Sequence, residues 1–229
     1  MRAVETPYPR VVGELETLDK ILKGFSIARY GDGEFNHVCG RSNVSQIAVP
    51  ELTNEIRALL LSPPKGCLIG IPTMDYAGPK YANWAHYRNR YAQFLSPKVQ
   101  YHSAFITRPD SAPWIDTPTF YDKVESLWKG RAVTLVGNGQ RSLKPEFLLE
   151  TGAADVAFVQ CSYRDSYAQI NWLEEECLRH GRGTIICAGP TATCLVARLH
   201  RKGIHAVDLG HVGLFWRPYA NPKKQKEKA

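Results

Sequence analysis

Two carboxylates, Asp32 and Glu34, follow an apolar segment within the run RYGDGE at 29–34. Side chains two positions apart in an extended backbone point to the same side, which predicts that both carboxylates share one face. Two hard oxygen ligands suit Mg²⁺ or Mn²⁺, which would take its other ligands from water and a diphosphate. Arg29 could pair with a phosphate, and Gly31 leaves room for a closely approaching ligand. A polar turn after a strand explains the same residues, because Gly-Asp-Gly is common in turns.

A glycine turn follows the apolar run AVTLV at 132–136. Gly137 and Gly139 begin a near match to G-x-G-x-x-G in which Ser142 replaces the third glycine. A dinucleotide fingerprint also needs an acidic residue at the end of the next strand, and that strand ends at Gln160. The pattern therefore disfavours an NAD site. It leaves open a turn that lines a nucleotide, with Arg141 on a phosphate, or a plain strand-to-helix turn.

Two further strand ends carry polar groups or glycine. Gly189, Pro190 and Thr191 stand between a predicted strand and a helix, where free N–H groups attract an anion or simply cap the helix. Near the end of the chain, Asp208 precedes Gly210 and His211. His211 is a candidate third metal ligand or phosphate contact, although a histidine at a strand end is commonly an ordinary packing residue.

The elements that must position these groups alternate between helices and strands. Apolar periodicity predicts helices over 12–23, 51–61, 80–95, 119–128, 165–180 and 191–202, with Asp165 as an N-cap. Short apolar runs predict strands over 25–30, 67–71, 99–107, 132–137, 154–160, 184–189 and 205–210. This alternation indicates an α/β fold with a mainly parallel sheet, in which ligands bind at the carboxyl ends of the strands.

Composition narrows the class of protein. The 229 residues (25.7 kDa) are 44% hydrophobic and 22% charged, which excludes a collagen, a coiled coil and a largely disordered chain. The net charge is +7, and the lysine-rich segment 223–229 supplies +3, so nucleic acid is not expected as a partner. We predict one domain over 1–222 and a disordered basic tail over 223–229, for which contact with an anionic membrane is an alternative. The sequence shows no signal segment, no apolar run long enough to span a membrane and no CxxC pair. These observations predict a cytoplasmic protein with free thiols.

Two blocks of the sequence resemble a known family. The run at 29–34 resembles R-[FY]-G-D-G-E, and the residues from Gly189 to His211 resemble G-P-T-A-T…D-[IL]-G-H; both are motifs of glycosyltransferase domains with the GT-D type fold. The similarity extends roughly over 18–216. It implies a Rossmann-like sheet with helices on both faces and a nucleotide-sugar donor, usually a UDP-sugar. It also implies Mn²⁺ or Mg²⁺ held by Asp32 and Glu34, with His211 as the candidate third ligand.

The resemblance also implies an activity and roles for other residues. It implies transfer of a sugar from a nucleoside diphosphate to a glycan or glycoprotein acceptor, with Arg29, Gly189, Pro190 and Thr191 near the donor diphosphate. Asp110 and Asp116, in the proline-rich loop, are candidates for the catalytic base, and Asp208 for a ribose contact or for orienting His211. The family often has R-P-Y where this chain has R-P-D at 108–110, which leaves the acceptor site less defined than the donor site.

Other interpretations remain open at this point. Trp84, Tyr87 and Tyr91 lie near helical spacing and are candidate acceptor contacts, or ordinary core residues. A different enzyme, using a nucleotide or S-adenosylmethionine at 137–141, would not need Asp32 and Glu34. A non-catalytic module that binds a glycan or a partner should have lost that acidic pair.

Overall fold

The sheet positions every strand end discussed above. The computed structural model describes residues 7–74, 87–108, 115–139, 143–210 and 212. Strands within these ranges form one sheet of order β1-β4-β3-β2-β8-β7-β5-β6, and each pairing between them is parallel. Their bounds are β1 Val11–Val12, β2 Ser26–Arg29, β3 Cys67–Ile71, β4 Tyr101–Ser103, β5 Ala132–Gly137, β6 Asp155–Gln160, β7 Gly183–Cys187 and β8 Ala206–Asp208.

The helices connect these strands. Four of the described helices have proline in the first turn, where the missing N–H group has no partner to lose. The bounds are α1 Glu14–Leu22, α2 Asp32–Val38, α3 Pro50–Leu61, α4 Arg88–Ala92, α5 Thr117–Glu125, α6 Pro145–Glu150, α7 Ile170–His180 and α8 Pro190–Arg201, with a 3₁₀ turn at Ser166–Gln169 before α7.

Helices cover both faces of the sheet, as the sequence predicted. Consecutive strand residues such as Ile27 and Ala28 are fully buried in separate hydrophobic clusters. The cluster around Ala28 packs under α2, α3, α7 and α8, whereas the cluster around Ile27 packs under α1, α5 and α6. This two-sided burial explains why the strands are nearly continuous apolar runs.

Several element boundaries differ from the sequence predictions. Val12 belongs to β1 and not to the first helix, and the strand expected over 99–107 ends at Ser103 because residues 104–107 turn back. Asp165 stands at the predicted N-cap position, at the start of the 3₁₀ turn before α7, but its backbone is left-handed (φ 53°) and its side chain does not cap the turn: its carboxylate accepts a hydrogen bond from the Ile47 N–H (2.7 Å). Of the helix predicted over 80–95, the structure contains α4, and residues 80–86 lie outside the described ranges.

The order of the strands determines where a ligand can enter. The chain leaves β2 towards β3 on one side, and β8 arrives on the other side of β2 from β7. A crevice outside the carboxyl ends of β2 and β8 is therefore the expected binding position in such a sheet. Among the described residues, the six cysteines are unpaired, and no helix has the length and apolarity to cross a membrane. The segment 223–229 lies outside the described residues.

Candidate active site

A cavity of about 210 Å³ opens at the carboxyl ends of β2 and β8. Its walls come from parts of the chain that are far apart in sequence: 29–34, 104–105, 107–108 and 189–190, together with Asn43, Ser45, Asp208 and Gly210. The strand-end residues predicted to bind a ligand around Arg29, Gly189 and Asp208 thus share one cleft.

Arg29 is the cation at the base of this cleft, and its side chain is fixed. Its Nη1 donates to the carbonyl oxygen of Ala104 (2.9 Å) and to Oγ1 of Thr107 (2.7 Å). Its Nη2 lies 3.5 Å from Oδ1 of Asp208, and both side chains are largely buried. Because the guanidinium is held on two sides, it can meet an anion without first losing conformational freedom.

Asp208 balances the charge of Arg29 from the neighbouring strand. Its Oδ2 accepts from the backbone N–H of Arg29 (3.3 Å) and its Oδ1 from that of Gly210 (2.9 Å). Burial raises the pKa of Asp208, and the nearby Arg29 partly opposes that rise. The carboxylate therefore acts first as the partner that orients Arg29.

Gly210 lets the chain pass close to that guanidinium. Its backbone is left-handed (φ +50°), and a Cβ at this position would lie 2.3 Å from Nη2 of Arg29. A side chain here would therefore displace Arg29, so the glycine is required by the position of the arginine.

Asp32 and Glu34 line the cleft, but not in the predicted conformation. The extended backbone expected for this pair is wrong, because α2 begins at Asp32 and places both residues in its first turn. Oε2 of Glu34 accepts from the Gly31 N–H (2.7 Å), which satisfies a free donor at the start of the helix. Burial, and then the charge of Asp208, raise the pKa of Glu34 to about 7.

The N-terminus of α8 faces the same cavity. Gly189 (φ 54°, ψ −141°) and Pro190 line it, so the positive end of the dipole of a twelve-residue helix lies beside Arg29, although Pro190 has no N–H and the Ala192 N–H donates to the Gly189 carbonyl oxygen (2.8 Å). Thr191 does not line this cavity: it is fully buried, and its Oγ1 lies 2.7 Å from Oγ of Ser166. Thr193, whose hydroxyl is a further candidate at this helix start, instead donates to the carbonyl oxygen of Arg29 (3.0 Å) and joins α8 to β2.

The glycine turn after β5 does not line the cavity around Arg29, although its Asn138 lines a smaller neighbouring space. β5 is separated from β2 by β8 and β7, which is a lateral distance of about 14 Å. Gly137 pairs with Cys187 in the sheet, and Gly139 adopts a left-handed backbone (φ +73°). Neither lines the cavity around Arg29, and Arg141 lies outside the described residues.

The structure also locates some of the other predicted residues. Asp116 caps α5, since its Oδ2 accepts from the Thr119 N–H (3.0 Å), and it does not line the cleft. Asp110, His211 and Trp84 lie outside the described residues. The ring of Tyr91 stacks on Tyr87 and on Phe35, with centroids 5.2 and 3.7 Å apart, so the core interpretation of these tyrosines fits their contacts.

Asn43 and Ser45 belong to the site but carried no recognisable sequence signal. They lie in the loop between α2 and α3, where Oδ1 of Asn43 accepts from the backbone N–H groups of Ser45 and Gln46 (both 2.9 Å). We call residues 43–47 the strap. An asparagine followed by serine two residues later is typical of a side-chain-stabilised turn, but nothing in the sequence says that the turn reaches the strand ends.

The donor set suits a hard divalent cation at Asp32 and Glu34. Both acids line the cavity, and its carboxylates (these two and Asp208) outnumber its cations, Arg29 and Arg108. Burial, and then the charge of Asp208, raise the pKa of Glu34, and a cation bound there would favour its ionised form. Within the described ranges, which exclude His211, no cluster of three or more His, Cys, Asp or Glu side chains forms a cation site.

Comparison with known proteins finds similarity to glycosyltransferases. The chain is 29% identical over 212 residues to a protein named probable glycosyl transferase Gly from Streptococcus gordonii, covering 86% of this chain and 31% of that protein. It is 27% identical over 219 residues to the glycosyltransferase GlyD of Streptococcus pneumoniae serotype 4, covering 89% and 27%. The chain thus spans about a third or less of the length of these curated relatives.

Solved structures show the same fold. A glycosyltransferase (DUF1792) from Streptococcus sanguinis superposes with a TM-score of 0.78 at 24% identity, covering 92% of this chain and 86% of that one. A second structure, described as the highly conserved domain of unknown function 1792 with a distinct glycosyltransferase fold, has a TM-score of 0.81 at 23% identity, covering 93% and 82%. The model of the family "Glycosyltransferase GT-D fold" matches residues 27–228, and the chain therefore belongs to that family.

Proposed function

We propose that this chain transfers a sugar from a nucleoside diphosphate sugar, in the first instance a UDP-sugar, to a hydroxyl of a glycan or glycoprotein. The observation that carries the proposal is the convergence of three anion- or cation-binding features on one cleft. These are the fixed guanidinium of Arg29, the N-terminus of α8 at Gly189, and the acids Asp32 and Glu34. Family membership and the names of the relatives support the same activity.

Arg29 and the N-terminus of α8 would hold the donor diphosphate. Charge builds on the leaving diphosphate as the glycosidic bond breaks, and fixed donors stabilise that charge without reorganising. Arg29 fits this role because Ala104, Thr107 and Asp208 hold it in place before any ligand arrives. The start of α8 at Gly189 and Pro190 would add the positive end of the helix dipole on the other side of the cleft.

Asp32 and Glu34 would hold Mn²⁺ or Mg²⁺, with His211 as the proposed third ligand. The bound cation would act as a Lewis acid on the diphosphate oxygens. With Glu34 already hydrogen-bonded to the Gly31 N–H, one of its carboxylate oxygens is oriented by the protein. Three carboxylates line this cleft against two arginines, so a bound cation would also balance their charge.

The catalytic base is a separate proposal. An inverting reaction needs a group that takes the proton of the acceptor hydroxyl. Asp110 remains our first candidate, because Asp116 caps α5 and Asp208 is committed to Arg29. Asp208 is therefore proposed as the residue that positions Arg29.

A nucleotide-binding experiment tests the proposed function. Thermal unfolding of the full chain would be followed with UDP, GDP and NAD, each with and without Mn²⁺, for the wild type and for Asp32→Ala. A ligand at one hundred times its Kd adds about 2.7 kcal/mol, which corresponds to roughly 5–10 °C for a domain of this size. We expect a shift with UDP that needs Mn²⁺ and is lost in Asp32→Ala.

The control is Asp122→Ala, which removes an exposed carboxylate from α5. It should respond to UDP and Mn²⁺ as the wild type does. A shift with NAD that is independent of metal, or no shift with any of the three nucleotides, would contradict the proposal.

A further inference from the structure

A second compartment of about 90 Å³ adjoins the cleft around Arg29. Ser45, Gly189, Pro190 and Gly210 line both spaces, so the two form one continuous cleft divided by the strap. The second compartment lies over the carboxyl end of β7 and reaches Asn138, directly after β5. Asn138 belongs to the glycine turn that the sequence analysis considered for a nucleotide.

The two compartments differ in charge. Arg29, Asp32, Glu34, Arg108 and Asp208 line the first, whereas none of the described residues that line the second has a formally charged side chain. Neutral polar side chains and one aromatic ring line the second compartment, of which Gln46 and Ser166 are already hydrogen-bonded within the protein; the lining side chains of these kinds are Ser45, Gln46, Asn138, Ser162, Tyr163 and Ser166. Neutral donors and acceptors beside an aromatic ring suit an uncharged ring bearing hydroxyls.

The strap that divides the compartments is held from the other half of the chain. The Asp165 N–H donates to the carbonyl oxygen of Ser45 (2.9 Å), and Oδ1 of Asp165 accepts from the Ile47 N–H (2.7 Å). Oε1 of Gln46 accepts from the Tyr167 N–H (3.1 Å). Asp165 is the one non-glycine residue with positive φ in the described ranges, so local strain is retained where the strap is anchored. This wall is preorganised for a ligand.

The second compartment is open to solvent at its rim. Val44 is 86% exposed and Tyr163 37% exposed, and both line it. A nucleoside is the terminal group of a donor and can be fully enclosed. An acceptor sugar, in contrast, leads into the rest of a glycan or glycoprotein, which must continue out of the site. Val44 and Tyr163 at the rim leave such a route out of the second compartment.

We propose that this second compartment is the acceptor subsite and that it takes a neutral sugar ring, with Tyr163 as its stacking face. This inference rests on the proposed function, since it names the acceptor side of the same cleft. It assigns the charged compartment to the diphosphate and the neutral compartment to the sugar that is to be modified. The contact between them, at Gly189 and Pro190, is where donor and acceptor would meet.

Saccharide binding to the full chain tests the inference separately from nucleotide binding. Saturation-transfer NMR, with UDP and Mn²⁺ present, would measure contact with a panel of methyl glycosides of neutral hexoses and N-acetylhexosamines. UDP affinity would be measured in parallel by calorimetry. The variants are Tyr163→Ala, Tyr163→Phe and the control Trp172→Ala, which removes another exposed aromatic ring that does not line either compartment.

We expect Tyr163→Ala to weaken saccharide binding about fivefold, the order found for one aromatic contact, and to leave UDP affinity within about twofold. Tyr163→Phe should retain saccharide binding, and Trp172→Ala should alter neither ligand. Loss of UDP affinity in Tyr163→Ala, without loss of saccharide contact, would overturn the assignment in favour of a nucleoside. Absence of saccharide contact in the wild type would also overturn it. Absence of UDP binding in the wild type would instead contradict the proposed function.

Discussion

Gly210→Ala should displace the guanidinium of Arg29 while leaving the arginine in the sequence. The new Cβ would lie 2.3 Å from Nη2 of Arg29, whereas an ordinary contact needs about 3.4 Å, so the guanidinium must retreat by about 1.1 Å. The Arg29–Asp208 contact is already 3.5 Å long and would break. Losing one charged hydrogen bond to the diphosphate weakens binding by about 1.5–3 kcal/mol, which is roughly 10- to 150-fold in the Kd for UDP.

The control for this variant is Gly203→Ala. Gly203 also has a left-handed backbone (φ +83°), but a Cβ there would meet no atom within 4 Å. Both variants should lose about 1–2 kcal/mol in the free energy of unfolding from backbone strain alone. Calorimetric titration with UDP and Mn²⁺ separates them, because only Gly210→Ala should lose affinity. If Gly210→Ala bound UDP as tightly as Gly203→Ala, Arg29 would not be a diphosphate contact in the position described.

Three further predictions concern stability. Burial, followed by the charge of Lys20, lowers the pKa of His102 to about 4, so at pH 5 this histidine binds a proton in the unfolded chain but not in the folded one. The wild type should therefore lose stability between pH 7 and pH 5 in urea unfolding, and His102→Gln should lose about 2 kcal/mol less. The control His180→Gln, at an exposed histidine, should lose as much as the wild type. Asp165→Ala removes the acceptor for the Ile47 N–H but keeps the left-handed backbone, and it should lower the free energy of unfolding by about 1–3 kcal/mol. Asp165→Asn keeps an acceptor oxygen and should lose less than half of that; equal losses in the two variants would show that the contact with the strap contributes nothing. Gly189→Ala should lower the free energy of unfolding by about 1–3 kcal/mol through backbone strain, because the backbone angles of Gly189 are unfavourable for alanine. Steric overlap adds nothing, since the new Cβ would meet only Oγ of Ser45 at 3.7 Å; an unchanged melting temperature would refute this prediction.

The fold was predictable because its strands can be recognised in the sequence as short apolar runs. Apolar runs such as CLIGI and TIICAG can be buried on both faces only in a parallel sheet covered by helices, and that requirement predicted the architecture. The order of the strands was not predictable, since no local pattern says that β8 pairs with β2. The resemblance supplied the expectation that Asp32 and Asp208 belong to one site.

The helix at Asp32–Val38 was missed for a physical reason. Its sequence, DGEFNHV, contains glycine and asparagine, which are poor helix formers. The helix forms because Phe35 and Val38 are fully buried against the sheet, and such packing outweighs propensity. The strap was missed because its contact with Asp165 joins residues 118 positions apart, and sequence periodicity carries no information at that distance.

The pairing of β2 with β8 also determines the stage of folding at which the site can form. Arg29 and Asp208 are 179 residues apart in sequence, and the chain between them forms the rest of the sheet. Closing so large a loop is entropically costly until other contacts have shortened it, which makes this pairing a late event in folding. During synthesis, a nascent chain would have most of its strands before it had the anion partner of Arg29. The cleft is therefore completed by the last described strand, and a partly folded chain would lack the pairing that holds Arg29 in place.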